Sequence, residues 1–202
     1  QVRETGDVTL YTRAGKAFAA ALTRDPKALD ALIGRGILAL ALHDFTDALT
    51  WADQAWALNP YRAETLGIMV DGQVELGRYA EAVQTLQKMV DLRPDLHSYS
   101  RVSYLRELHG DVDGAITAMQ AAVQTALRGS ENWLWAQTQL GNLYFNCGDL
   151  AQAAAIYQQV VAVKADYPYA LAGLARVDAA RGNTDAAIAR YAAISKRLPL
   201  PE

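Results

Sequence analysis

Cysteine is nearly missing from this chain. Cys147 is the only one in 202 residues, so an internal disulfide is excluded and the redox compartment stays open. Proline is scarce, with six residues, and β-branched residues are few beside alanine and leucine, whose side chains lose little freedom in a helix. No apolar run reaches the roughly 20 residues that a bilayer span needs, so no direct membrane insertion is expected of this segment. Basic charge is neither abundant nor clustered: the net charge is -3, and acids and bases balance along the chain, which argues against nucleic acid as a partner. Half of the residues are apolar by the broad count, enough for a folded core. The first expectation is an all-α protein.

The N-terminus, "QVRETGD", is neither a signal peptide nor a methionine start, so the natural chain is expected to begin upstream of Gln1. Localisation is therefore open: cytoplasmic, or extracytoplasmic if a signal or anchor precedes this segment. Fourteen arginines against five lysines and abundant alanine suit a GC-rich bacterial source.

What the chain does have is a period. Ala14, Ala48, Ala82, Ala115, Ala153 and Ala187 are separated by 34, 34, 33, 38 and 34 residues. Five residues before the alanine stand His43, Gly77, Gly110, Gly148 and Gly182. Four residues after it come Phe18, Ala52, Leu86, Met119, Tyr157 and Tyr191, and Pro26, Pro60, Pro94 and Pro199 close four of the units. Each unit reads as two helices and two turns. Small residues such as Ala153 and Gly141 let the two helices of a hairpin approach, with Leu140, Tyr144 and Tyr157 filling the space beside them, and Gly148 accepts the reversed turn. The irregular interval of 38 places extra length around "TALRGSENWLW", where Gly129 and Ser130 break the helix.

No stretch of the chain carries a catalytic or metal-binding motif. His43, His97 and His109 have no metal-ligand spacing, so neither metal nor other cofactor is expected. "HGDVDGA" lacks the closing glutamate of a calcium loop, Ala122 standing in its place, and "RAGKAFA" lacks the glycine and hydroxyl residue of a phosphate loop. Cys147 has no activating neighbour in sequence and reads as a small, semi-buried side chain. No enzymatic activity is expected.

The stretches "LGNLYFNCGDLAQAAAIY", "VELGRYAEAVQTLQKMVDLRPD" and "AARGNTDAAIARYAAISKRLPLP" resemble tetratricopeptide repeats, and the resemblance covers nearly the whole chain. It implies a right-handed superhelical solenoid of helix-turn-helix hairpins, with a leading half repeat at residues 1–27 and five complete ones at 28–61, 62–94, 95–132, 133–167 and 168–202. It also implies a concave groove of first helices that binds a peptide or protein segment. Positions that face such grooves carry Asp30, Ile33, Ile37 and Leu40, then Glu64, Gly67, Asp71, Val74 and Glu75, an apolar start turning acidic.

The later units carry His97, Ser100, Tyr104 and Glu107 with Arg101 beside them, then Trp135, Thr138, Asn142, Phe145 and Asn146, then Tyr169, Ala172 and Arg176. From these the candidate partner-binding set is His97, Arg101, Tyr104, Trp135, Asn142, Phe145, Tyr169 and Arg176: aromatics offer contact area, and amide and guanidinium groups fix a segment's direction. The lysine-dependent clamp for acidic tails known in the family is not expected, since Lys16, Lys27, Lys88, Lys164 and Lys196 all fall on or beside second helices. A second reading is a self-associating array within a larger protein. The uncovered Phe18 and Ala21 at one end, and Ile188 and Tyr191 at the other, suit weak self-association.

Overall fold

The computed structural model describes residues 7–197, and within them it holds eleven α-helices and no strand. These are α1 (Thr9–Arg24), α2 (Leu29–Ala41), α3 (Phe45–Leu58), α4 (Ala63–Glu75), α5 (Tyr79–Leu92), α6 (Leu96–Leu108), α7 (Val112–Thr125), α8 (Glu131–Asn146), α9 (Leu150–Val163), α10 (Pro168–Ala180) and α11 (Thr184–Arg197). The chain divides into two compact units, one up to Pro94 and the other from Asp95. The closing Pro199 and the start and end of the outer repeats lie outside the described residues.

The turn inside each hairpin is set by one left-handed residue. Gly77, Gly110, Gly148 and Gly182 have φ between 74° and 86°, and His43 takes φ 60° at the same repeat position. The following amide then bonds back to a carbonyl of the preceding helix, as Asp44 does to Ala39 at 2.9 Å and Arg78 to Gln73 at 2.8 Å, which satisfies carbonyls the helix end would leave open. The residue after the turn often caps the next helix: the carboxylates of Asp44, Asp111 and Asp149 accept from the amides of Asp47, Gly114 and Gln152. Arg78 does not cap, and its guanidinium instead bonds Glu81 at 2.7 Å.

The periodic alanines are where the hairpins close. Ala48, Ala82, Ala115 and Ala153 have no exposed surface and Ala187 has 4%, whereas Ala14, on α1, is only half-buried. In the first unit α2 packs on α1, α3 and α4, and α4 on α3 and α5. Leu32, Ile33, Ala52 and Ile68 lie in its core cluster. In the second unit α8 packs on the first helices to either side of it, α6 and α10, as well as on its hairpin partner α9. Contacts confined to near neighbours in sequence are the physical signature of a solenoid.

Tyr157 and Tyr167 are the largest fully buried side chains among the described residues of the second unit, and Tyr157 has no exposed surface. Its ring lies between α8 and α10 where Gly141 and Gly173 provide the room: a Cβ on either glycine would stand 2.5 Å from a ring atom. Phe18 occupies the same repeat position and lies against Gly34 in the same manner.

Two expectations change. The extra length before Ala153 lies mainly in a helix, since α8 has 16 residues where the other complete first helices have 13. It is added at the N-terminal end, where Ser130 caps by accepting from the Trp133 amide, while Gly129, φ 85°, still marks the break. Cys147 is exposed rather than semi-buried, because it ends α8 just before the turn and only its Sγ–H reaches inward, to the Tyr144 carbonyl.

Ala153→Leu is expected to cost about 1 to 3 kcal/mol or more in a denaturant melt, because the added atoms have no space between α8 and α9. The same change at exposed Ala151 is expected to be near neutral. Gly173→Ala gains up to about 1 kcal/mol of helix propensity, but overpacking against an immobile ring costs about 1 to 3 kcal/mol. A net loss of stability is therefore expected, and a net gain would mean that the Tyr157 ring can move away.

Candidate functional site

Among the predicted groove positions of the first unit, Ile33, Gly67 and Val74 are buried instead of facing outward. The acidic character foreseen there is partly neutralised. The Arg62 guanidinium bonds Asp30 at 3.0 Å and Glu64 at 3.2 Å, and Arg93 bonds Glu64 at 3.1 Å. The Glu64 carboxyl is held below the usual carboxylate range, first by its own backbone N–H and then by these arginines. Pairs this exposed contribute about 0 to 1 kcal/mol each, so they shape the surface charge more than they hold the fold.

The second unit differs. A cavity of about 300 Å³ opens between α6, α8 and α10, a size at the lower end of that of ligand pockets. Its deeper wall is formed by Ser100, Ser103, Met119 and Leu143, all buried. Tyr104, Trp135, Gln139, Asn142, Asn146 and Glu107 stand around it, with Arg176 at one side. Tyr104 keeps 46% of its surface exposed beside the opening.

The polar groups around this cavity are largely spoken for. Asn142 accepts from the Tyr157 hydroxyl at 2.7 Å and from the Arg176 guanidinium, which also donates to the Tyr157 oxygen at 3.0 Å. Arg176 further lies 4.8 Å from the centre of the Phe145 ring, a cation–π contact. Burial pushes the Tyr157 hydroxyl above its ordinary pKa, and Arg176 pulls the other way. Glu107 accepts from the Asn146 amide at 2.9 Å. The Ser100 hydroxyl bonds the His97 carbonyl. Ser103 is the exception: 1% exposed, it leaves its hydroxyl with no hydrogen bond.

Of the eight residues expected to form the binding set, Tyr104, Trp135, Asn142 and Arg176 line the cavity, and Phe145 stacks on Arg176 at its edge. His97, Arg101 and Tyr169 do not line it. Arg101 donates to the His97 carbonyl at 2.9 Å on the N-terminal part of α6, and Tyr169 packs its ring 5.5 Å from that of Tyr167. Thr138, also read as groove-facing, is buried and bonds the Leu134 carbonyl. Ser103 and Met119 also line the cavity without being among the expected residues: Ser103 is buried on its helix, and Met119 reaches the cavity from a second helix.

Among the described residues no group of three or more His, Cys, Asp and Glu side chains could hold a metal, and no helix is long and apolar enough to cross a membrane.

Family models described as tetratricopeptide repeat match residues 7–63 and 69–131, and residues 146–202. Human tetratricopeptide repeat protein 13 is 27% identical over 163 residues, which are 78% of this chain but 18% of that protein, so the chain spans less than a fifth of this relative's length. The crystal structure of TTC0263, a thermophilic tetratricopeptide protein of Thermus thermophilus, is 25% identical, with a TM-score of 0.72 over 85% of this chain and 92% of that one. That of YrrB, a tetratricopeptide protein with an unusual peptide-binding site, is 18% identical, with a TM-score of 0.54 over 90% of this chain and 92% of that one. The fold is that of a family whose members are generally non-enzymatic scaffolds for protein interaction. With its buried periodic alanines, its left-handed turns and family models matching more than half of its length, the chain belongs to the tetratricopeptide repeat family.

Proposed function

We propose that this chain is a scaffold that holds an extended or helical segment of another protein in the groove of its second unit, along α6, α8 and α10. The observation that carries this is the cavity between those helices, into which Tyr104 and Trp135 converge. Aromatic rings beside a concave site give large contact area at low entropic cost, and they dominate the energetics of most protein interfaces. The Asn142, Tyr157 and Arg176 bonds hold the wall in one arrangement before a partner arrives, so less ordering cost falls on binding. The peptide-binding site of YrrB, a protein of the same fold, is in keeping with this use.

The alternative, an array that associates through its ends, is favoured by a separate observation: Ile188 and Tyr191 on α11 are 60% and 42% exposed. If the ends drive association, Ile188→Ser with Tyr191→Ser abolishes concentration-dependent sedimentation. If the groove is the working surface, those changes leave segment binding intact.

Once a partner is identified, calorimetry is expected to show Trp135→Ala and Tyr104→Ala each weakening binding by at least about 1 kcal/mol, roughly fivefold, with helicity retained. Glu75→Ala, on the exposed end of α4 in the first unit, is expected to change affinity little. Arg176→Ala reports on stability as well as binding, because it strips partners from Asn142 and Tyr157. Loss of binding in Glu75→Ala with Trp135→Ala unaffected would place the working groove in the first unit.

A further inference from the structure

Resting on that reading of the groove, the internal repeat identifies what enters the cavity. Counted from Ala115, residues Ser103, Tyr104 and Met119 stand where Gly141, Asn142 and Tyr157 stand counted from Ala153, and Asn142 then stands where Arg176 does counted from Ala187. In the later repeat, this constellation closes on an aromatic ring. Tyr157 fills the space against Gly141 and puts its hydroxyl between Asn142 and Arg176. In the earlier repeat, Met119 takes the place of that tyrosine, and the residues corresponding to the ring's surroundings line the cavity. Methionine is unbranched and carries a sulfur that makes favourable contacts with ring edges.

The polar chemistry points the same way. The charged groups beside the cavity already make bonds within the chain, Glu107 accepting from Asn146 and Arg176 holding Asn142, Tyr157 and the Phe145 face. Among the buried side-chain atoms of the residues that line the cavity, the one without a hydrogen bond is the Ser103 hydroxyl. A hydroxyl in a helix commonly bonds the carbonyl one turn back, as Thr138 does to Leu134; that of Ser103 makes no such bond. A buried hydroxyl without a partner costs free energy that a ligand's donor would recover. Buried tyrosine and tryptophan, conversely, need a partner for the O–H or N–H at their tip.

We infer that the cavity is a socket for one aromatic side chain of the bound segment, a tyrosine or tryptophan, whose ring lies against Met119, Leu143 and Trp135 and whose tip donates to Ser103 Oγ. The partner's ring thereby fills space as the Tyr157 ring does one repeat later, with its tip bonded at Ser103, the counterpart of Gly141, in place of the Asn142 and Arg176 positions that hold the Tyr157 hydroxyl.

The test is a selection of random displayed peptides against the whole chain, followed by titration of the winning peptides and methyl NMR of Met119. The expected result is a tyrosine or tryptophan recurring at one position, binding lost in Trp135→Ala, and a ring-current shift of the Met119 methyl on binding. Removing the tip donor from the peptide, tyrosine to phenylalanine or tryptophan to naphthylalanine, is expected to weaken binding about three- to tenfold, the range of a single net hydrogen bond. Ser103→Ala keeps the fold and erases that difference between the two peptides, which a merely structural serine would not do. Peptides that depend on Trp135 but recur in lysine, arginine or an aliphatic residue overturn the aromatic socket and leave the groove reading standing. So does a tip effect that survives Ser103→Ala. A selection that yields no peptide dependent on Trp135 overturns both.

Discussion

The second unit depends on how one buried ring is accommodated. Tyr157 comes from a second helix and inserts between two first helices, and it fits because Gly141 and Gly173 present no side chain to it. Its ring thus sets the spacing of α8 and α10, while its hydroxyl reaches the groove side and bonds Asn142 and Arg176. Core packing and groove geometry are therefore one structure. Interiors packed to crystal density do not deform gradually, so a change that displaces the ring also displaces the polar groups beside the cavity.

The distribution of charge follows from the same economy. Most acids and bases near the first helices have partners within the chain: Arg62 with Asp30 and Glu64 in the first unit, Glu107 with Asn146 and Arg176 with Asn142 in the second. Beside these pairs, the second unit has the cavity lined by Met119 and the unsatisfied hydroxyl of Ser103. Specificity there is expected from shape and one directional hydrogen bond more than from net charge, which makes recognition less sensitive to salt than a charged clamp would be.

The repeat, the hairpin turns and the buried alanines were legible in the sequence because each rests on a local rule: a left-handed turn needs glycine or a tolerant residue, and a close helix crossing needs a small one. The aromatic and glycine pairing was also within reach, since Phe18 and Gly34 lie as far apart in sequence as Tyr157 and Gly173. The candidate site was only half legible. Tyr104, Trp135, Asn142 and Arg176 line the cavity as outward positions should, yet the internal bonds of Asn142 and Arg176 join residues 15 to 34 apart in sequence and no periodicity announces them. Ser103 and Met119 were invisible for the same reason, because a cavity is a property of what neighbouring helices fail to fill. The extra turn of α8 reads as loop in the sequence because "RGSEN" combines a helix breaker with a helix cap, and only the structure separates where one ends and the other begins.

The coupling of core to groove is tested most directly by Tyr157→Phe, which keeps the ring and removes the hydroxyl. Chemical denaturation and the affinity of a peptide held at Trp135 should be measured on the same preparation. If the hydroxyl ties the two, helicity is retained, stability falls by about 1 to 3 kcal/mol as Asn142 and Arg176 lose a shared partner, and affinity falls with it. Unchanged stability and affinity would contradict the account, leaving Tyr157 as packing alone and the groove indifferent to it.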